Sequence, residues 1–321
     1  HYYTNMLIFV INLTDWIPRR SSDSIFLEKS SMTPVFDPKR VRQSELLQLL
    51  LLDTLYSLSG SHQVFFHGGT ALRWIHGGPR FSEDLDFVTN LPTGKLKSLM
   101  EQGQPKASLA CTAQFGPGRL EQQIKSSRKA AFKAFCIYRP QAQRERIAVK
   151  LEFERLATGQ RPETAPHILR DLPTVSALMA AGQLVLPYMS SITITETPLE
   201  ILTDKIRALY ERVYVKGRDV FDLWWLVRQL QVTPTWSAVH KKLEMYQTEF
   251  KAARKTDYFQ DPSARSEIRD ALESDLPRFI PPNILGVYRD EAFKPFIDTT
   301  AKVTARLIEQ GLGEYLDAHQ S

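Results

Sequence analysis

Residues 67–87, "HGGTALRWIHGGPRFSEDLDF", carry the groups most able to do chemistry. Asp84 and Asp86 lie two apart on a predicted strand, "DLDFV" at 84–88, so both project from one face. Two carboxylates that close repel each other unless a cation sits between them. Hard oxygen donors suit Mg²⁺, with Mn²⁺ as a substitute, and such ions are commonly shared with substrate phosphates. Upstream, the Gly68-Gly69 turn opens a predicted short helix with Thr70 as its N-cap. Backbone N–H groups at such a turn can cradle phosphate. Ser82 and Thr70 add hydroxyls, and Arg73 and Arg80 could neutralise phosphate charge. A third carboxylate on a neighbouring strand would complete a two-metal site. Glu152 in "KLEFE" is the candidate, pointing opposite to Leu151 and Phe153 with Lys150 set apart from its polar face, and Glu154 is the fallback. Glu83 points the other way and is left out. A lone Asp-x-Asp is usually just solvated and a lone Gly-Gly is usually just a turn. It is their order, strand, Gly-Gly, helix, loop, strand, that makes the constellation specific.

The elements needed to hold these residues are legible in outline. Residues 41–58 repeat apolar positions at helical spacing without Gly or Pro, which predicts a helix. "QVFF" at 63–66 predicts the strand before the glycines. Further strands are expected at 107–115, 130–138 and 146–154, and the Pro-rich 161–176 reads as a connection. From Thr197 the pattern turns helical, over 197–214, 218–230, 235–254, 264–275 and 298–318. The expected fold is α+β, with a mixed-sheet N-terminal lobe and a helical C-terminal lobe. Residues 1–40 form an extension of uncertain role, 41–196 the α/β lobe, and 197–321 a helical lobe that contributes to the cleft.

Composition sets wide bounds. The 321 residues, 43% hydrophobic and 24% charged, are those of an ordinary globular protein. A formal charge of +5 is compatible with a polyanionic partner without specifying one. Two cysteines, Cys111 and Cys136, with no CxxC, argue against a disulfide framework or a structural zinc and point to a reducing cytoplasm. The apolar run at 6–13 lacks a basic flank and a cleavage site and is too short to span a bilayer, so no membrane partner is expected. The first residue is His rather than Met, and Met32 could be an internal start.

With these residues in hand, the chain resembles the nucleotidyltransferases of the DNA polymerase β superfamily, and within it the AbiEii/AbiGii-type toxins. The resemblance starts from Gly68-Gly69 and Arg80-Phe81-Ser82-Glu83-Asp84-Leu85-Asp86. "VKLEF" at 149–153 is similar to the family's second motif. "TPLEILTDKIRALYER" at 197–212 is similar to the third, with Asp204-Lys205 as its signature pair. "KGRDVFDLWWL" at 216–226 is similar to the fourth, with Arg218-Asp219 and Asp222. The four together cover about half the chain.

The resemblance implies a polymerase β-like fold and an enzyme that moves a nucleoside monophosphate from an NTP to an acceptor, releasing pyrophosphate. It further implies toxin–antitoxin, abortive-infection or phage-defence biology, a separately encoded antitoxin, and an RNA acceptor such as a tRNA 3′ end. Carried over, Asp84 and Asp86 would hold Mg²⁺, Ser82 would bind phosphate, Lys205 would contact the triphosphate, and Asp219 would be a polar catalytic contact or base. The expected mechanism has Mg²⁺ on Asp84, Asp86 and Glu152 and pyrophosphate stabilised by the Gly68-Gly69 amides, Ser82 and Lys205.

Plainer readings stand beside these. An arbitrary helix lysine is most often solvated and paired to a neighbour. Lys205 and Arg212 lie seven apart on one helix face. Asp219 and Asp222 lie three apart near a helix start, where acids often serve only as caps. Asp222, a nucleotide-side candidate, is equally a structural partner for Arg218 or Arg212. Trp224, Trp225 and Leu226 read as core. Lys241, Lys242, Lys251, Arg254 and Lys255 could track an RNA backbone or form a solvated helix face. Two other functions remain open: modification of a protein hydroxyl, by nucleotidyl or kinase-like transfer, and a non-catalytic module that NTP merely orders.

Overall fold

Among the described residues the strands form a seven-stranded mixed sheet, in the order β3-β4-β5-β2-β1-β7-β6. The computed structural model describes residues 36–127, 130–188 and 191–320, so the apolar run at 6–13 and most of the 1–40 extension lie outside the described residues. The elements run α1 (Pro38–Tyr56), β1 (Val64–His67), α2 (Gly68–Trp74), β2 (Asp84–Thr89), α3 (Thr93–Phe115), β3 (Gly118–Ser127), β4 (Ala131–Pro140), β5 (Ile147–Arg155), β6 (Thr164–Ile168), α4 (Pro173–Ala180) and β7 (Ile192–Glu196). Helices follow: α5 (Pro198–Glu211), α6 (Gly217–Arg228), α7 (Trp236–Leu243), α8 (Ala264–Asp275), α9 (Pro282–Asp290), α10 (Lys294–Leu307) and α11 (Gly313–Ala318).

β2 is the pivot, pairing antiparallel with β1 on one side and parallel with β5 on the other. Its pleat sends Leu85 and Phe87 into the main core, where Phe87 stacks on Phe153 with ring centroids 4.8 Å apart. α1 is capped by Asp37, whose carboxylate accepts from the amides of Lys39 and Arg40, and Leu46 to Tyr56 are buried along it.

Several expectations fail for identifiable reasons. Residues 107–115 are not a strand but the second half of α3. Gly94, Gly103 and Pro105 mask its periodicity, yet Leu96, Leu99, Met100, Gly103, Ala107, Ala110 and Cys111 are buried at helical spacing. A Cβ at Gly103 would lie 3.3 Å from Leu58 Cδ1, so small residues let α3 sit close to the end of α1. The Pro-rich connection carries β6, where Pro166 is tolerated because the strand is at the sheet edge. The long helix expected at 235–254 ends at Leu243, because the chain then bonds back to the sheet: the Gln247 amide donates to the Arg155 carbonyl, and Leu156 bridges Tyr246. The helix expected over 298–318 begins earlier and is broken at Gly311, where φ is 128°. The strands β3 and β7 and the helices α4 and α9 have no counterpart in the expected pattern.

Both cysteines are free and buried, and burial pushes each thiol up to about 12. No helix among the described residues is long and apolar enough to cross a membrane.

Candidate active site

Asp84 and Asp86 stand half-buried on one face of β2, opposite the core face of Leu85 and Phe87. Through the parallel pairing with β5, Lys150 lies beside Asp84 and Glu152 beside Asp86. Glu152 is thus placed as a third carboxylate would be, but Lys150 is not set apart from it. Residues two apart on a strand share a face, so the two come together. Lys150 Nζ is 2.8 Å from Asp84 Oδ2 and 2.6 Å from Glu152 Oε1, and Lys133 Nζ is 2.9 Å from Glu152 Oε2. Burial would raise the Glu152 carboxyl, but the two ammonium groups hold it below its ordinary range. Burial raises the Asp84 carboxyl and the Asp86 charge adds to this, against the pull of Lys150. Glu154, the fallback, is paired with Arg207 at 3.1 Å. Glu83 faces Arg278 at 3.0 Å, away from the carboxylate pair.

The glycine turn presses onto this face. Gly68 has φ +75°, and a Cβ there would lie 2.9 Å from Asp86 Oδ2. A Cβ on Gly69 would lie 2.4 Å from Arg80 Nη2 and 3.1 Å from Ser82 Oγ. The glycines therefore let the turn approach Asp86, Arg80 and Ser82 more closely than any residue carrying a Cβ could. Thr70 is not the N-cap; that position falls to His67. Thr70 is wholly buried inside α2 and donates its hydroxyl to the Asp84 carbonyl, tying helix to strand instead of facing a ligand.

Arg80 is also committed. It donates from Nε and Nη2 to the two oxygens of Asp222, both at 2.5 Å, and it is 4% exposed. Lys205 Nζ lies 2.9 Å from Asp219 Oδ1 and 2.7 Å from Asp222 Oδ2, and Arg212 bonds the other oxygen of Asp219. The chain Arg80, Asp222, Lys205, Asp219, Arg212 alternates in sign from the loop before β2 through α6 to the end of α5. The partners of Asp222 are Arg80 and Lys205, not Arg218 or Arg212. Burial opposes ionisation of Asp219, yet Lys205 and Arg212 hold its carboxyl far below the usual range. Arg73 is paired to Glu45 at 2.9 Å and lies over the Phe81 ring, so it braces α1 and does not reach into the site. Arg218, named only as part of a motif, has charge that acts on both Asp84 and Asp219. Trp224, Trp225 and Leu226 are core.

A second buried polar cluster adjoins the turn. His67, Glu196 and Asp204 bring ligand atoms within 4.8 Å of one another. The space is taken by an ammonium: Lys242, fully buried, lies 3.0 Å from Glu196, 2.6 Å from Glu200 and 3.4 Å from Asp204. Tyr246 donates to Asp204 Oδ1 at 2.5 Å. Burial alone would push His67 down, but its bond to Asp204 and the charges of Glu196, Asp204 and Asp86 lift it to about 9. Lys242 is therefore a core counter-charge and not part of an RNA-tracking face. Arg254 is likewise buried, donating to the carbonyls of Leu209 and Arg212. Sequence patterning missed both because their partners, carboxylates for Lys242 and backbone carbonyls for Arg254, lie on other elements. Two clefts in the helical part, one at Trp236, Gly311 and Tyr315 and one at Trp224, Arg228 and Lys302, contain none of the site residues.

This architecture recurs in known proteins. The structure of JHP933 from Helicobacter pylori superimposes with a TM-score of 0.50 at 18% identity, covering 88% of this chain and 98% of that one. A second H. pylori structure, provisionally described as a nucleotidyltransferase, matches with a TM-score of 0.50 at 17% identity over 89% of this chain and 100% of its own. At such identities the likeness speaks to fold. A search of curated proteins finds no significant match. The family model for the nucleotidyl transferase AbiEii toxin of type IV toxin–antitoxin systems matches residues 50–298. The chain belongs to that family, and it is a nucleotidyltransferase.

Proposed function

We propose that the protein transfers a nucleoside monophosphate from an NTP to an RNA acceptor, such as a tRNA 3′ end, releasing pyrophosphate. The observation that carries this reading is the pair Asp84 and Asp86 on one strand face, with the Gly68-Gly69 turn packed against Asp86 and Ser82. The donor set fits a divalent cation: two half-buried carboxylates share a face beside a backbone turn that only glycine can bring this close. Asp84 and Asp86 would hold Mg²⁺, or Mn²⁺ in its place, and Glu152, keeping Lys133 on one oxygen, would offer them the other once Lys150 moves away. Such an ion would supply charge neutralisation at the reacting phosphate and acidify the acceptor hydroxyl.

The chain's own groups do the rest. The Gly68 and Gly69 amides and Ser82 bind phosphate oxygens. Lys205 and Arg218 supply positive charge toward the triphosphate. Asp219 reads as the polar contact and not the base, because a carboxyl held so low is a poor proton acceptor. Asp222 acts on the nucleotide through Arg80 and Lys205, which it holds in place. Residues 41–196 form the catalytic α/β lobe and 197–321 a helical lobe supplying Lys205 and Asp219, with 1–40 as an extension. The type IV toxin–antitoxin family supports a separately encoded antitoxin as partner; a role in phage defence by abortive infection, exerted in the cytoplasm, is part of the proposal.

The test is incubation with each α-labelled NTP, Mg²⁺ and either total RNA or cell lysate. Asp84→Asn and Asp86→Asn are expected to reduce label transfer to background while thermal unfolding stays as in wild type. Undiminished transfer in either variant would overturn the assignment. A second reading, transfer to a protein hydroxyl, is favoured by one observation: Lys242 and Arg254 are buried, which removes two cations from the expected RNA track. Label on protein and not on RNA would establish it.

A further inference from the structure

Lys150 sits where the metal reading leaves no place for it. Its ammonium bridges Asp84 Oδ2 and Glu152 Oε1 on the face that carries the carboxylate pair. The bridge is set by backbone pairing, since Asp84 is registered with Lys150 and Asp86 with Glu152. Glu152 keeps a second ammonium, Lys133, on its other oxygen, so it is neutralised whether or not Lys150 stays. Asp84 has no second ammonium among its ion pairs within the described residues. A cation arriving at Asp84 must therefore meet Lys150, while Lys133 lies one strand further off on β4.

We infer that Lys150 is a built-in counter-cation of the metal face, holding Asp84 in the nucleotide-free protein and yielding it to a divalent cation that enters together with the triphosphate. This rests on the metal reading given above. The physical reason is competition. A hydrated ion alone gains one or two carboxylates and must displace an ammonium at hydrogen-bond distance. An ion already carried on a triphosphate brings further oxygen ligands, and the triphosphate offers the released ammonium a new anion. Lys150 is thus a positioning residue that couples metal entry to nucleotide entry.

The test uses the full chain and Mn²⁺ alone, without nucleotide, with free Mn²⁺ counted by electron paramagnetic resonance. Lys150→Gln is expected to bind Mn²⁺ at least about tenfold tighter than wild type, the scale of one close charge removed from a partly buried site. Lys150→Arg should bind as wild type does. Lys133→Gln removes equal charge without touching Asp84 and should change affinity by no more than about twofold, because exposed charges are screened. Equal tightening in Lys133→Gln and Lys150→Gln would mean a general field effect and overturn the inference. So would unchanged or weaker binding in Lys150→Gln, provided that Asp86→Asn abolishes binding; the metal reading would then survive alone. If Asp86→Asn leaves Mn²⁺ binding intact, the metal reading fails and this inference with it. A measurement on the wild type guards against a misfolded variant: the Lys150 ammonium nitrogen resonance should shift with Mg²⁺ plus a non-hydrolysable NTP and stay put with Mg²⁺ alone. A resonance unmoved by the metal–nucleotide complex would overturn the coupling.

Discussion

Asp222 shows how much a single side chain settles at this site. It is buried, and it accepts from Arg80 through both oxygens while holding Lys205 at 2.7 Å. Breaking a buried ion pair by neutralising one partner leaves the other charge without compensation, at a cost of about 3–5 kcal/mol. Asp222→Asn is therefore expected to lower unfolding free energy by about that amount in a urea titration, and to lower label transfer as well because Lys205 loses an anchor. A loss under about 1 kcal/mol would show that Arg80 and Lys205 find other partners. The roles within this chain of charges were only half legible in the sequence. Helical spacing puts Asp219 and Asp222 on one face, and motif likeness marks Lys205. The partner of Asp222, however, lies 142 residues upstream in the loop before β2. No local pattern encodes such a pairing, because it forms only when α6 packs over that loop.

At the scale of elements, β1, β7, α5 and α7 converge on one buried knot of charge. His67 ends β1, Glu196 ends β7, Glu200 and Asp204 lie on α5, and Lys242 lies on α7. His67 is lifted from its ordinary 6.5 to about 9, so the folded protein binds a proton there that the unfolded chain gives up. Stability from this group is present in full below pH 6.5 and is lost as pH rises through about 9. Glu196, raised by burial, acts in the same direction at lower pH. The melting temperature should accordingly fall between pH 6.5 and 9, and His67→Gln should flatten that slope. A slope unchanged in the variant would place the titration elsewhere. Elements with strong periodicity, such as α1, α5 and α6, were legible from the chain. α3 was not, because the small residues that let it approach α1 are also those that blur a helical pattern. β6 was hidden by Pro166, which only an edge position tolerates.

For the whole molecule, the acceptor is the quantity most open to a simple measurement. Arg212, Lys216 and Arg218 crowd the start of α6, and burial together with the charges of Arg212 and Arg218 lowers Lys216. Lys133 stands on the open side of the same sheet face. An RNA held by such groups should lose about tenfold or more in affinity between about 50 and 200 mM salt, read by filter binding. A flat salt response would favour a small or protein acceptor. The central place of β2 has a consequence for how the gene can be silenced. Its alternate residues serve the active face and the hydrophobic core at once. A one-residue slip would turn Asp84 and Asp86 inward and Leu85 and Phe87 outward together. Lesions in this strand should therefore sort into two kinds when survivors of toxin expression are sequenced. Substitutions at Asp84 or Asp86 would leave a soluble, inert protein that the antitoxin can still meet, whereas single-codon deletions would leave no folded protein at all.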